Sequence, residues 1–357
     1  MSTRNDSMTA SFTDPFPFVS VVMPIRNEAD FIAEGLEAVL VQDYPKDRME
    51  VLVADGMSTD ATRDIVARLA ARHGQPAVTL IDNPGRIVAT GLNLALRQAR
   101  GEIIVRVDGH CRIEPDYVSQ CVAHLRDDGV EGVGGPITTV AKTPVGRAIA
   151  AAMSSPFGVG GSAFRTVSDR TLFVDTIAFP AYTRQAVERA GPFDEELVRN
   201  QDDEYNYRLR GLGARLLLTP DVRSEYHSRS SYRSLWRQYF QYGYYKVRVM
   251  QKHPMQMRWR QFVPPAFVLV LALGLVASAF GTLPRVLFGL TVLTYLGAVA
   301  GASIWTAARR DWGLLKYLPL AFVILHVSYG LGFLVGLAWP RSRARLRHAA
   351  WPTKEPT

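Results

Sequence analysis

Polar side chains with chemical capacity follow the predicted strands in the first half of the chain. Asn27 and Glu28 follow the first strand, Asp55 follows the second, and Asp108 and His110 follow the fourth. The carboxyl ends of parallel strands form the edge at which α/β proteins bind their ligands. One polar residue after a strand is as often a turn former, but three acidic clusters at one edge indicate a binding site.

The triplet Asp108-Gly109-His110 offers a carboxylate and an imidazole two residues apart. Such a pair can hold Mn²⁺ or Mg²⁺ between the protein and a diphosphate. A sheet edge rich in carboxylates needs a cation of this kind to hold a phosphate group. The sequence has neither a G-x-x-x-x-G-K-[ST] motif nor a G-x-G-x-x-G motif after the first strand, which argues against ATPases and dinucleotide-dependent enzymes.

The elements that must position these residues alternate along the chain. Apolar runs predict strands at 18–23, 49–54, 78–81 and 102–107. Helical periodicity between them gives a β-α-β-α-β-α-β order, which predicts an α/β fold with a parallel sheet covered on both faces. A further helix is predicted within 193–209, and the Gly, Pro, Ser and Thr of 132–170 predict loops over the sheet edge. Cys111 and Cys121 are expected to be reduced packing residues.

Charge divides the chain of 357 residues into two unlike parts. Residues 1–226 carry 24 basic and 31 acidic side chains, whereas residues 227–357 carry 17 basic and 2 acidic ones. Three stretches without Asp, Glu, Lys or Arg lie at 262–284, 286–308 and 317–340. Each is long enough to cross a bilayer, which takes about 20 residues. With 48% hydrophobic residues and two cysteines, the composition excludes disordered and disulfide-stapled proteins.

Residues 227–260 join the two parts with eight Lys or Arg, no acidic residue and eight aromatic residues. Interleaved basic and aromatic side chains suit the headgroup layer of an anionic membrane, although single-stranded nucleic acid would use the same residue types. The uncharged stretches that follow favour the membrane. We therefore expect anionic lipids, and no nucleic acid, as partners.

The predicted organisation has five parts. They are a loose leader at 1–17, an α/β domain at 18–226, an amphipathic interfacial segment at 227–261, a membrane domain at 262–340 and a basic tail at 341–357. The first two apolar stretches form a hairpin. The third either crosses the membrane or, because His326, Gly330 and Gly332 interrupt it, re-enters and leaves on the same side, which is the alternative we favour.

Five motifs occur in order along the α/β domain. They are PIRNE at 24–28, VADGMSTDAT at 53–62, NPGRIVATGLNLAL at 83–96, RVDGH at 106–110 and NQDDEYNYRLR at 200–210. Together they resemble the signature of the family 2 inverting glycosyltransferases of the GT-A fold, over about residues 18–230. The runs VDTIAFPAYTR, GPFDEELVRNQDDEYNYRLR and SLWRQYFQYGYYK resemble most closely the membrane glucosyltransferases of the succinoglycan exopolysaccharide type.

The resemblance implies roles for individual residues. The nucleotide sugar would be bound by Pro24, Arg26, Asn27, Glu28, Asp55, Ser58, Arg86, Asn93 and Asp108. Asp55 would accept a hydrogen bond from the uracil imide and so favour UDP over CDP donors. The metal would be held by Asp108 and His110, or by Asp108 alone, and the imidazole favours Mn²⁺. Asp202 aligns with the catalytic base, and Asp203 is its rival.

Two further residues carry weaker predictions. His227 is a candidate third metal ligand, and Arg165, in the glycine-rich run 154–165, is a candidate for binding a lipid pyrophosphate.

The resemblance implies inverting transfer of a hexose from a UDP-sugar to a polyprenyl-diphosphate-linked saccharide, with Mn²⁺ or Mg²⁺. It places the enzyme in the inner membrane as a multi-pass protein with its catalytic domain in the cytosol. Two alternatives remain open: polyprenyl phosphate itself as the acceptor, and a catalytically inactive scaffold that binds sugar nucleotides. The sugar, the linkage and the oligomeric state are not specified by the sequence.

Overall fold

A computed structural model of the chain describes residues 12, 14–228 and 230–338. These residues form two compact units. The first comprises the described residues up to 138 together with 167–226, and the second comprises 139–166 together with 227–338. Most of the predicted leader, at 1–11 and 13, and the predicted basic tail at 341–357 lie outside the described residues.

The strands form one large sheet and one small sheet. They are β1 (Val19–Ile25), β2 (Met49–Asp55), β3 (Ala77–Asp82), β4 (Ile103–Arg106), β5 (Cys111–Ile113), β6 (Gly132–Gly134), β7 (Ile137–Val140), β8 (Leu172–Phe173), β9 (Ala181–Thr183), β10 (Leu216–Leu218) and β11 (Ser224–His227). The large sheet has the order β3-β2-β1-β4-β9-β6-β10-β8. β3, β2, β1 and β4 are parallel to one another, and β9 runs antiparallel to both of its neighbours.

The α-helices cover this sheet and build the second unit. They are α1 (Ile32–Leu40), α2 (Thr62–His73), α3 (Val88–Gln98), α4 (Tyr117–Asp127), α5 (Pro144–Met153), α6 (Pro156–Val159), α7 (Ala163–Thr166), α8 (Arg184–Ala190), α9 (Gln201–Gly211), α10 (Tyr232–Lys252), α11 (Val263–Ala277), α12 (Thr282–Arg310) and α13 (Leu318–Gly336).

The predicted α/β order is confirmed. β1 and β2 are buried along their whole length, as expected for central strands of a sheet covered on both faces. α1 turns Ile32, Leu36, Val39 and Leu40 towards the sheet, which is the apolar spacing of an amphipathic helix. Cys111 and Cys121 are free and buried, as predicted.

The loop prediction for 132–170 is wrong over much of that range. β6, β7, α5, α6 and α7 all lie within it. α5 has the sequence PVGRAIAAAM, with Pro144 at its first position and the Thr143 hydroxyl accepting a hydrogen bond from the Gly146 N–H at 3.0 Å. Proline at the first helical position, a Thr cap and alanines favour a helix. The compositional average over the segment concealed this local signal.

Residues 14–17 contact the first unit, although the sequence predicted a loose leader through residue 17. Asp14 pairs with Arg48 at 3.1 Å. The Phe16 ring meets the Tyr44 ring edge-on, and the Tyr44 hydroxyl donates to the Pro17 carbonyl at 2.7 Å. These contacts fix the chain directly before β1.

The second unit contains three helical segments that are long and apolar enough to cross a membrane. They are Trp259–Phe280, Thr282–Arg310 and Leu318–Gly336. The last is one continuous helix, α13, so the prediction of a re-entrant hairpin there is wrong. Gly332 lies inside this helix. A side chain at this position would overlap the backbone of Phe240 in α10, so the glycine serves close packing of the two helices. Small residues of this kind let two helices approach closely.

Candidate active site at the sheet edge

The carboxyl ends of adjacent parallel strands meet at one edge of the large sheet. β1 and β2 pair so that Ile25 lies opposite Asp55, and β2 and β3 pair so that Asp55 lies opposite Asp82. β4 lies on the other side of β1. The loops that leave these strands therefore start side by side, and they carry the site residues predicted in the first half of the chain.

The loops after β1 and β2 are joined by hydrogen bonds. The Asn27 N–H donates to the Ser58 hydroxyl at 2.8 Å, and the Thr59 N–H donates to the Asn27 side-chain oxygen at 2.9 Å. The Glu28 N–H donates to the Thr62 hydroxyl at 2.8 Å. Asn27 has a positive φ of 51°, which asparagine tolerates better than most residues. Asn27 and Ser58 thus hold the two loops in register.

Asp55 lies at the centre of this arrangement and is fully buried. One carboxylate oxygen accepts a hydrogen bond from the Ser58 hydroxyl, and the other accepts from the Ser58 N–H at 3.0 Å and from Arg63 at 2.7 Å. Arg63 also reaches Asp82 at 2.8 Å. Because the Asp55 side chain has 0% exposure, the surface presented at this point consists of its partners Ser58 and Arg63.

Two exposed basic side chains stand beside these loops. Arg26 follows β1, in which Pro24 is buried, and Arg86 lies in the turn between β3 and α3 with a positive φ of 58°. The Arg26 guanidinium donates to the Arg86 carbonyl at 3.4 Å. An exposed pair of cations next to a strand edge attracts phosphate groups.

Asn93, a predicted donor-binding residue, contacts the segment before α9 in this structure. Its side-chain amide is buried, donates to the Phe193 carbonyl at 3.0 Å and to Glu195 at 2.8 Å, and accepts from the Phe193 N–H at 2.7 Å. All of its polar atoms are therefore used to hold the segment that leads into α9. In this arrangement Asn93 positions the loop at 193–195.

A buried arginine links β4 to α9. Arg106 donates from Nε and Nη2 to the two oxygens of Asp108, at 2.9 and 3.1 Å. Burial acts to lower the pKa of Arg106, but Asp108 and Asp202 outweigh it, so the pKa is raised and the guanidinium stays charged. Asp108, which follows β4, and Asp202, in the first turn of α9, therefore both act on one buried cation.

The first turn of α9 carries the two predicted candidates for the base, Asp202 and Asp203. Both are partly exposed. Asp203 accepts a hydrogen bond from the Thr176 hydroxyl at 3.2 Å. Thr176 in turn accepts from Asn206 at 3.0 Å, and Asn206 accepts from the Tyr182 hydroxyl at 2.7 Å. A buried network thus fixes Asp203, whereas Asp202 acts on Arg106.

His110 faces Glu28, with Nδ1 3.0 Å from the carboxylate. Burial acts to lower the pKa of His110, but the hydrogen bond to Glu28 and the neighbouring Tyr226 and Asp108 raise it to about 9. A protonated imidazole has no lone pair for a metal. The His110 ring packs edge-on against Tyr226 at 5.1 Å.

The donor set at this edge offers the Asp108 carboxylate to a divalent metal, while Nδ1 of His110 is taken up by Glu28. Asp108 is a partly exposed carboxylate, and each of its oxygens keeps a second lone pair when it accepts from Arg106. Within the part of the chain that the structure describes, no three His, Cys, Asp or Glu side chains form a group that could hold a metal. A metal here would therefore need further ligands from a bound diphosphate.

Sequence reasoning missed the residues that organise the site. Arg106 was visible as the one charged residue in an otherwise apolar strand, which is a signal for a buried ion pair. Arg63 and Thr176 gave no comparable signal, since one lies on a helix surface and the other in an irregular segment. Arg63 contacts Asp55, eight residues away, and Thr176 contacts Asp203, 27 residues away, and no local sequence pattern marks either contact.

Arg165 and His227 belong to the second unit. Arg165 lies in α7, where its guanidinium sits 5.3 Å from the Phe164 ring centroid, and His227 ends β11.

Residues 20–188 match the family model described as Glycosyl transferase family 2. This range contains β1 to β4 with their loops, and so most of the residues placed at the sheet edge. α9, which carries Asp202 and Asp203, follows it.

Two relatives match along most of their length. One is the dolichyl N-acetyl-alpha-D-glucosaminyl phosphate 3-beta-D-2,3-diacetamido-2,3-dideoxy-beta-D-glucuronosyltransferase of Methanococcus voltae, 26% identical, with 90% of this chain and 97% of the relative covered. The other is the succinoglycan biosynthesis protein ExoA of Rhizobium meliloti (strain 1021), 29% identical, with 88% and 93% covered. The similarity therefore includes the second unit.

Solved structures with the same fold include the mannosyltransferase PcManGT from Pyrobaculum calidifontis in complex with GDP-Man and Mn²⁺. It is 25% identical, has a TM-score of 0.57 and covers 88% of this chain and 89% of its own. A second, S. aureus TarS 1-349, is 17% identical with a TM-score of 0.50 and covers 89% and 92%. The first unit is thus a GT-A-like domain, as the sequence predicted.

Proposed function

We propose that the chain transfers a hexose from a UDP-sugar to a polyprenyl-diphosphate-linked saccharide, because residues 20–188 match the glycosyltransferase family 2 model. The observation that carries the proposal is the buried ion pair of Arg106 with Asp108, to which the charge of Asp202 adds. It brings a carboxylate expected at the donor diphosphate and the expected base to one buried cation. The transfer would invert the anomeric carbon.

In this proposal Asp202 accepts the proton of the acceptor hydroxyl. The hydroxyl oxygen forms the new bond to the anomeric carbon from the face opposite the diphosphate. The bond between that carbon and the diphosphate oxygen breaks, and UDP leaves with the electron pair.

Asp108 is the residue that would hold Mn²⁺ or Mg²⁺ together with the donor diphosphate. When bound, the metal would neutralise charge on the departing diphosphate. Arg26 and Arg86 would add positive charge from the exposed side of the site. His110 would stay paired with Glu28 and hold the loop after β1.

The donor base is assigned to uracil from the position of Asp55. Because Asp55 is fully buried, its effect on the base would pass through Ser58 and Arg63. Arg63 can donate to a base carbonyl, which uracil has at position 4 and cytosine lacks. Guanine also offers a carbonyl, and the structural relative was solved with GDP-Man, so GDP-sugars are the necessary comparison.

The acceptor is assigned from the names of the relatives and from the second unit. The Methanococcus voltae relative is named for a sugar attached to dolichyl phosphate, and the Rhizobium meliloti relative for succinoglycan biosynthesis. The apolar helices of the second unit suit a lipid-anchored acceptor and a protein of the inner membrane with its catalytic unit in the cytosol. The names favour a saccharide on the lipid over the bare lipid phosphate.

The direct test is a donor and acceptor panel with detergent-purified protein. UDP- and GDP-sugars would each be supplied with Mn²⁺ and either a polyprenyl-diphosphate saccharide or polyprenyl phosphate, and nucleoside diphosphate release would be measured. We expect release with one UDP-sugar and the saccharide acceptor, loss of release on chelation, and its return on adding Mn²⁺.

Other outcomes would replace parts of the proposal. Turnover with a GDP-sugar alone would overturn the base assignment, and turnover on polyprenyl phosphate would overturn the acceptor. Binding of a UDP-sugar with no turnover on any acceptor would favour the scaffold alternative.

A further inference from the structure

We propose that α13 does not cross the membrane but lies with α10 at its surface, so that the chain crosses twice, through α11 and α12. The inference rests on the membrane location in the proposed function. It concerns the second unit alone. By length and composition α13 could be a third crossing, but its contacts with α10 contradict this.

α10 and α13 pack side by side and parallel from the start of α10 to the end of α13. At one end the Tyr232 hydroxyl donates to the Tyr317 carbonyl at 2.9 Å. Further along, a side chain at Gly332 would overlap the backbone of Phe240, and one at Gly336 would come within 2.6 Å of the Tyr244 carbonyl oxygen. Any orientation of α13 in the membrane is therefore shared by α10.

α10 cannot share a membrane crossing. It carries Arg233, Arg237, Lys246, Arg248 and Lys252 and no acidic residue. At about 1.5 Å per residue, Arg237 and Lys246 lie only about 6–8 Å from the midpoint of the helix, well inside a hydrocarbon core whose half-thickness is about 15 Å. Arg237 is exposed on the surface of the unit and would face lipid chains, an arrangement that membrane helices avoid.

The α11–α12 hairpin contacts α13 through only one end of the hairpin, where α11 begins and α12 ends. The buried residues of α11 are Pro265 and Val268, close to its start. Those of α12 are Val299, Ser303, Thr306 and Ala307, close to its end. Pro264 and Val268 approach Gly330, and the Tyr295 hydroxyl lies 3.0 Å from His326. The base of the hairpin thus packs on α13, while its outer half is exposed.

The buried fraction also distinguishes α13 from the segments that contain α11 and α12. Only 11% of each segment containing α11 or α12 is buried within the protein, against 50% of α13. The outer half of the hairpin presents large apolar side chains such as Leu273, Leu283 and Leu290, as a lipid-facing surface does. α13 buries Leu318, Phe322 and Leu325 in a cluster with α5 and α10.

This arrangement fixes the side on which the chain continues after α13. Two crossings return it to the side from which α10 comes. The sequence after α13 carries arginines at 341, 343, 345 and 347, and the positive-inside rule favours such a sequence on the side of the basic segment before the hairpin.

Cysteine labelling of membrane vesicles tests the proposal. Single cysteines would replace Ser230 before α10, Thr282 at the tip of the hairpin and Leu337 after α13, all of which are exposed. A membrane-impermeant maleimide would be applied to vesicles of both orientations. The unsubstituted chain is the control, since Cys111 and Cys121 are buried. Transfer activity of each variant would show that it is folded.

We expect Ser230→Cys and Leu337→Cys to be labelled from the same side of the membrane. We expect Thr282→Cys to be labelled only from the opposite side. Labelling of Leu337→Cys from the side of Thr282→Cys would overturn the proposal, because α13 would then cross. Labelling of all three from one side would also overturn the proposal, because α11 and α12 would then not cross, and it would contradict the membrane part of the proposed function as well.

Discussion

At the scale of single residues, the candidate site is organised by a cation. Most of the site residues predicted to do chemistry are carboxylates, among them Asp108 for the metal and Asp202 as the base. Asp108 pairs with Arg106, which is buried at the end of β4, and the charge of Asp202 helps to raise the pKa of that arginine. The sequence predicted which loops would meet, because strand ends of a parallel sheet meet by construction. The side-chain partners depend on contacts between distant segments and were not predictable.

Replacing Arg106 by methionine should destabilise the first unit and abolish transfer. The substitution leaves Asp108 without its buried partner, and removing one member of a buried pair costs about 3–5 kcal/mol. Because Asp108 is partly exposed, we expect a loss near the lower limit. Thermal unfolding of the purified protein measures it. The matched control is Arg126→Met, whose pair with Asp127 lies on the surface, and which should melt like the wild type.

Replacing Asn93 by alanine tests whether this residue positions a loop or binds the sugar. We expect a loss of stability of about 2 kcal/mol, because the Phe193 N–H and carbonyl lose their buried partner. Gln98→Ala, at an exposed position on the same helix, is the control. A variant with wild-type melting and a raised KM for the donor alone would instead place Asn93 at the donor.

At the scale of secondary structure elements, sequence patterns gave the regular part of the fold and missed the elements with mixed signals. Buried strands and amphipathic helices of the first unit have a clear period. α5 was missed because glycines and serines around it dominated the composition of its segment. The glycines of α13 were interpreted as interruptions, since a sequence does not show that another helix lies against them.

Gly332→Ala should destabilise the second unit, because the added methyl group overlaps the backbone of α10. Overpacking of this kind costs about 1–3 kcal/mol. Gly289→Ala in α12 is the matched control, since no atom lies within 4 Å of the added Cβ, and alanine favours a helix by about 1 kcal/mol over glycine. Unfolding in detergent compares the two. Equal stability of both variants would show that α10 and α13 do not pack closely.

At the scale of the whole molecule, charge and hydropathy separate two tasks. The first unit carries the carboxylates of the candidate site, and the second carries most of the excess positive charge and the apolar helices. This division was predictable from composition. The assignment of 139–166 to the second unit was not, because these residues are separated from α10 by more than 60 positions in sequence.

The basic face of α10 should make activity depend on anionic lipid. Arg233 and Arg237 are exposed, and each basic side chain at an anionic surface contributes about 1 kcal/mol. In vesicles with anionic lipid, Arg233→Gln with Arg237→Gln should weaken lipid-dependent activation several-fold. Added salt should have a similar effect on the wild type. Arg126→Gln in the first unit is the control. Equal activation of the double variant and the wild type would contradict this role.

The proposed role of Asp202 as the base predicts a specific loss of sugar transfer. Transfer of a labelled sugar to a polyprenyl-diphosphate saccharide would be measured for the wild type, Asp202→Asn and Asp203→Asn, with donor binding measured in parallel. We expect Asp202→Asn to bind the donor and to lose about 10²–10⁴-fold in rate, while Asp203→Asn keeps more activity. Undiminished transfer by Asp202→Asn would contradict the account.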